Sequence, residues 1–180
     1  MAEIKKIEPV GIDARIDLIQ SAMYLYLTNQ GWTDYESYQR AYILDKNGGT
    51  VPEVYTGANE YKEVLMNDKF NATSFFLVED VRPFADNLFT QTVSIIFQAD
   101  ISKLYQTIAH RADEEMHKDI IDALIASGYE SRITNLTVGQ ENVYSALSIP
   151  ASYLERIKLD DISNFHIVKI DLEIPYQFCN

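Results

Sequence analysis

The sequence predicts an α+β domain: a mostly antiparallel sheet of about four to six strands, packed against an N-terminal helix and one long central helix, with a β-hairpin insertion. Three observations predict it. Apolar residues recur at helical spacing in two separate segments, Ile12 to Leu27 and Ile101 to Ala123. Two other segments, Leu88 to Gln98 and Phe165 to Tyr176, alternate apolar and polar residues with the period of two that marks a strand. The strands come in runs, without the regular strand–helix alternation of a parallel α/β fold.

The elements follow in chain order. Residues 1–10 read as a flexible N-terminal arm ending near Pro9, and residues 11–180 as a single domain. Ile12, Ile16, Ile19, Met23 and Tyr26/Leu27 define one stripe of a first helix from about Gly11 to Thr28, with Asp13 complementing its dipole and Asn29-Gln30-Gly31 ending it. Residues 32–68 form a Tyr-rich insertion. Within it Ser37 to Leu44 is strand-like, Asn47-Gly48-Gly49 signals a tight turn, and Thr50 to Tyr55 returns as a hairpin arm that Pro52 places at an edge. Glu60 to Asp68 is open between strand and short helix.

Thr73 to Asp80 is a strand with apolar residues on both faces, and Arg82-Pro83 and Asp86-Asn87 mark the connection that follows. In the next strand Phe89, Val93, Ile95 and Phe97 face one way and Thr90, Thr92, Ser94 and Gln98 the other, interrupted by Ile96, so it is expected to be half-buried. The long acidic helix follows directly. Ile101, Tyr105, Ile108, Ala112, Met116, Ile120 and Ala123 share a stripe, Asp100 or Ser102 can cap it, a second cap and a break are plausible at Ala112-Asp113, and Gly128 stops it. Tyr129 to Val138 reads as a strand, 139–163 as loop or short helices limited by Pro150, and the last strand turns His166, Val168, Ile170, Leu172, Ile174 and Tyr176 to one side and Lys169, Asp171 and Glu173 to the other.

Composition bounds the function. Of 180 residues, 27 are acidic and 15 basic, a net charge of −12, which argues against clamping nucleic acid or an anionic membrane surface. No run approaches the roughly 20 apolar residues that span a bilayer, and no apolar stretch behind Met1-Ala2-Glu3-Ile4-Lys5-Lys6 suggests a signal peptide. Nothing then routes the chain to glycosylation, so the sequons at Asn71 and Asn135 read as chance, and the single cysteine, Cys179, cannot make an internal disulfide. Twelve Tyr suit either strand positions or surfaces buried on assembly.

The chemistry-bearing residues are few. On a continuous helix His110, Glu114 and His117 would share a face, and Glu114-x-x-His117 matches half of a di-iron carboxylate pattern. The second half is missing, as is the His-Glu-x-x-His of a zinc protease. That face lies opposite the apolar stripe and so is expected to meet solvent or a neighbour. No Gly-x-Ser-x-Gly elbow and no phosphate loop occur, and Asp160-Asp161 reads as a loop or capping feature. His166 reads as a core or interface histidine. No catalytic, cofactor-binding or metal-ligating residue is assigned.

The element order then resembles a known family. An N-terminal helix, a hairpin-bearing segment, Thr73-Ser-Phe-Phe-Leu-Val, Leu88-Phe-Thr-Gln-Thr-Val-Ser-Ile-Ile-Phe-Gln, Arg111-Ala-Asp-Glu-Glu, Ser127-Gly-Tyr and the alternating strand Phe165 to Tyr176 are similar to the core of tailed-phage tail-terminator and head-to-tail neck proteins. The likeness covers about residues 11–30 and 70–178. It implies a structural virion protein and no enzyme: a subunit of a hexameric or dodecameric ring that joins the portal or connector to the tail and leaves a channel through which DNA passes without specific binding. It would be assembled in the host cytoplasm. The implied partners are further copies of itself and neighbouring neck, portal or tail proteins, with no membrane and no cofactor. Candidate interface or lumen residues are then His110, Asp113, Glu114 and His117 on the acidic helix and Tyr38, Tyr42 and Tyr55 on the insertion. Two other readings stay open: a small intracellular enzyme or ligand-binding α+β domain, and a metal-dependent hydrolase using His110, Glu114 and His117.

Overall fold

A mostly antiparallel sheet of eight strands, with helices on both faces, forms the frame in the computed structural model. It describes residues 2–46, 49–57, 60–65, 69–85, 88–108, 110–147 and 165–177. The elements are β1 (Ala2–Ile4), α1 (Ile12–Asn29), β2 (Tyr35–Lys46), β3 (Gly49–Gly57), β4 (Glu60–Glu63), β5 (Ala72–Ala85), β6 (Leu88–Asp100), α2 (Ile101–Leu104), α3 (Asp113–Ser127), β7 (Ile133–Val138), α4 (Gln140–Ala146) and β8 (Phe165–Gln177). Strand order across the sheet is β4-β3-β2-β5-β6-β8-β7. β1 and β5 pair with β2 in parallel, and every other pairing is antiparallel.

The count of eight exceeds the four to six expected because the weakly patterned segments also pair. Ala2–Ile4 lies beside Glu36 to Tyr38, so this part of the expected flexible arm is a strand. Glu60–Glu63 is a strand too, against Glu53 to Gly57. Arg82 and Pro83, expected in a connection, continue β5 past a register shift. The turn residues Asn47-Gly48 and Asp86-Asn87 and the segment 148–164, with Pro150 and Asp160-Asp161, lie outside the described residues, as does Cys179.

The central helix is not continuous. Asp100 caps α2 through its carboxylate, which accepts from the Ser102 and Lys103 amides, but the helix stops at Leu104. Ala112 leaves helical geometry at φ −104°, ψ 42°, and α3 restarts with Asp113, Glu114 and Glu115 in its first turn. Gly128 ends it in the left-handed conformation at φ 76°, which glycine adopts without a Cβ clash. Asp119 stitches the interruption together. Its Oδ2 accepts from Trp32 Nε1 at 3.1 Å and from Tyr105 Oη at 2.7 Å.

Two cores result. On one face α1 and α3 cover Phe76, Val93, Ile95, Phe97 and the even-numbered residues of β8 from Val168 to Tyr176. Gln20, although polar, sits within this layer because its amide donates to the carbonyls of Ile4 and Ser37, tying α1 to β1 and β2. On the other face α4 and the β3–β4 hairpin cover Tyr38, Phe75, Leu77, Ile96 and Ile167. This second layer changes the reading of β6 and β8 as half-buried strands. Ser94, Gln98, Lys169 and Asp171, expected toward solvent, are buried. Their polar atoms are paired: Gln98 donates to the Val64 carbonyl at 3.1 Å, Ser94 bonds Asp171 at 2.6 Å, and Lys169 bonds Asp171 and lies 3.7 Å from Glu79.

Candidate functional site

Two regions carry the residues singled out from the sequence, and the register places them at opposite corners of the sheet. Tyr35, Ala72, Ala99 and His166 are level with one another across β2, β5, β6 and β8. Three strand spacings of about 4.8 Å separate β2 from β8, and Tyr42 lies seven residues further along β2 at about 3.3 Å each. The hairpin Tyr cluster and the His166 region are therefore more than about 20 Å apart.

The histidine corner differs from the expected face. His110 sits in the non-helical link before α3 and is exposed, so it does not share a helical face with Glu114 and His117. The break at Ala112 is the reason. Glu114 does face solvent, its side chain 91% exposed. His117 instead turns inward, its Nε2 2.8 Å from Nε2 of the buried His166.

The hydrogen positions here follow from Arg111, which is always protonated and can only donate. Its Nη2 lies 3.3 Å from His166 Nδ1, so Nδ1 accepts. His166 then carries its proton on Nε2 and donates to His117 Nε2. That leaves the His117 proton on Nδ1, which lies 3.8 Å from Glu114 Oε2. Arg111 also bonds Asp113 at 2.6 Å. The His166 pKa is lowered by burial first, with Asp113 opposing and His117 and Arg111 adding to the effect. Among the described residues no three His, Cys, Asp or Glu side chains converge as a ligand set for a metal ion. The groups gathered here offer hydrogen bonding and charge.

The tyrosine corner is more open. Tyr38 is fully buried beneath the hairpin, its hydroxyl bonded to Glu36 and its ring under Lys62 Nζ at 4.8 Å, so it belongs to the core and not to a free surface. Tyr42 and Tyr55 are exposed, as are Ile43 and Tyr61, and Tyr55 and Tyr61 pack with ring centres 5.3 Å apart. Tyr42 and Tyr55 also wall a crevice of about 300 Å³ with Ile4, Lys5, Lys6, Asp13 and Arg40.

The crevice has a topological cause. β1 leaves the edge of β2 after Ile4 pairs with Tyr38, and β3 arrives on the same edge where Val54 pairs with Ala41. Gln39 and Arg40 lie in the gap. Sequence reasoning reached Tyr42 and Tyr55 but missed Arg40, Lys5 and Lys6, because only the parallel docking of β1 brings residues 4–7 against residues 39–42. The open edges of the sheet also expose apolar side chains, Tyr61 on β4 and Leu136 on β7.

The sequence matches no known family model and no curated protein.

Proposed function

We propose that this chain is a ring-forming structural subunit of a tailed-phage virion, of the neck or tail-terminator type, acting by assembly and not by catalysis. The observation that carries this reading is the placement of exposed apolar side chains at the two open edges of one sheet, Tyr61 with Tyr55, Tyr42 and Ile43 at the β4 end and Leu136 at the β7 end. The two ends differ in chemistry, so they suit a head-to-tail contact between copies, which closes into a ring when the rotation permits. The Tyr-rich hairpin reaches toward a neighbour. The charge of −12 would keep DNA from adhering in the channel if the acids line it. A hexamer or dodecamer joining portal or connector to tail, in the virion neck, is the form this takes.

Light scattering and negative-stain electron microscopy test it. The expected result is a particle of six or twelve times 20.6 kDa with a central channel. A monomer, both alone and when co-expressed with the products of the neighbouring genes, would refute it. A channel lined by neutral or positive potential would refute the role assigned to the acidic charge.

The crevice of about 300 Å³ supports a second reading, a small ligand-binding domain, since it falls at the lower end of the range for small-molecule sites. A monomer that retains a small molecule through purification would favour that reading over the ring.

A further inference from the structure

The crevice beside β2 holds an unusual cation. Arg40 is stacked over the Tyr42 ring at 5.1 Å, and its only charged partner among the described residues is Asp13 at 3.6 Å, beyond hydrogen-bonding distance. A guanidinium has five N–H donors in a rigid planar fork that matches a carboxylate. The stacking on Tyr42 restricts the orientation of that fork, so less freedom is lost when an acceptor arrives. Lys6 and Lys5 stand on the same rim. Lys6 shares Asp13 with Arg40, and Lys5 is divided between Glu3 and Asp17. With Lys5 held by Glu3 and Asp17 and Lys6 by Asp13, Arg40 is the crevice cation whose fork has no carboxylate within hydrogen-bonding distance among the described residues. Tyr55, Ile4 and Ile7 supply the apolar walls.

We propose that this crevice is the acceptor for the acidic first turn of α3 from a second copy of this chain, with Glu114 entering toward Arg40. Two features select that occupant. The first is charge: Asp113, Glu114 and Glu115 open α3, and the Glu114 side chain is 91% exposed. The second is position. The two surfaces stand at opposite corners of one sheet, more than about 20 Å apart by strand spacing and rise, so a chain cannot dock its own α3 into its own crevice. Docking between copies is therefore head-to-tail, and each subunit offers one donor and one acceptor. This assignment rests on the ring reading above. It adds the residues that meet, and predicts an assembly that weakens as salt rises because Glu114 is exposed and Arg40 only half-buried, so salt reaches both charges.

Charge reversal tests it. Arg40→Glu blocks the acceptor and Glu114→Lys blocks the donor, so each variant alone is expected to be a monomer by light scattering. An equimolar mixture is expected to assemble. The reversed acceptor of the first variant can meet the reversed donor of the second, and the native Arg40 of the second can meet the native Glu114 of the first. Circular dichroism checks that each variant folds, and Lys6→Glu replaces Arg40→Glu if the latter does not. Wild-type-like assembly of each single variant would overturn the docking and leave the ring reading standing. Monomeric variants that also fail to assemble when mixed would overturn it too. A wild-type chain that stays monomeric with its gene neighbours would overturn the ring reading and the docking with it.

Discussion

Replacing Asp119 by Ala should separate the two halves of the interrupted central helix. Asp119 Oδ2 accepts from Trp32 Nε1 at 3.1 Å and from Tyr105 Oη at 2.7 Å, so one carboxylate anchors the end of the α1–β2 link and the α2–α3 link to α3. Trp32 is 2% exposed, so its indole N–H depends chiefly on acceptors within the fold. A hydrogen bond to a charged group contributes about 1.5–3 kcal/mol, and a buried donor left unpaired costs about 1–3 kcal/mol. Asp119 and Tyr105 are half-buried, which puts each bond at the lower end, so the two together amount to about 3 kcal/mol. For a chain of this length that corresponds to a fall in melting temperature of about 6–12 °C. The assay is denaturant unfolding followed by the fluorescence of Trp32, the single tryptophan, and by circular dichroism. Asp119→Asn, which keeps an acceptor oxygen, should lose less. In a Trp32→Phe background the cost of Asp119→Ala should shrink by about 1 kcal/mol, because the orphaned donor is absent. A loss below about 1 kcal/mol for Asp119→Ala would refute the assignment of Asp119 as the anchor.

Two further outcomes follow from buried polar groups. The His166 pKa is lowered, so the folded state binds fewer protons than the unfolded one, whose imidazole titrates near 6.5. Stability is then fully present above about pH 6.5 and falls as acidification proceeds through the lowered folded value; His166→Gln should flatten that part of the unfolding free energy against pH, and an unchanged slope would refute the imidazole chain. Tyr144 is fully buried and its hydroxyl has no hydrogen-bond partner among the described residues, so Tyr144→Phe should leave stability unchanged or raise it by up to about 1 kcal/mol, whereas a clear loss in denaturant unfolding would reveal a partner for that hydroxyl.

Periodicity made most elements legible. The stripe Ile12, Ile16, Ile19, Met23 and Leu27 is the buried face of α1, and Val168, Ile170, Leu172, Ile174 and Tyr176 are the inner face of β8. These patterns are local, because a side chain's direction along a helix or strand depends only on its own backbone. The break in the central helix was less legible. Ala112 lies on the same stripe whether or not the helix continues, and the acids Asp113 to Glu115 only hint at a new start. The candidate site was legible in part: Tyr42 and Tyr55 are exposed beside the crevice, but Tyr38 is core and His117 faces His166.

The sequence by itself determined the apolar face of α1, the inner face of β8, and that acids outnumber bases. Those properties follow from backbone geometry and composition, and they hold in any arrangement of the elements. Only the tertiary structure decided that both faces of the sheet are covered, which buries Ser94, Gln98, Lys169 and Asp171. It alone brought Arg40 between β1 and β3, and set that crevice at the corner opposite Glu114. Strand pairing between residues tens of positions apart settles such neighbours, and no period along the chain records which strands will pair.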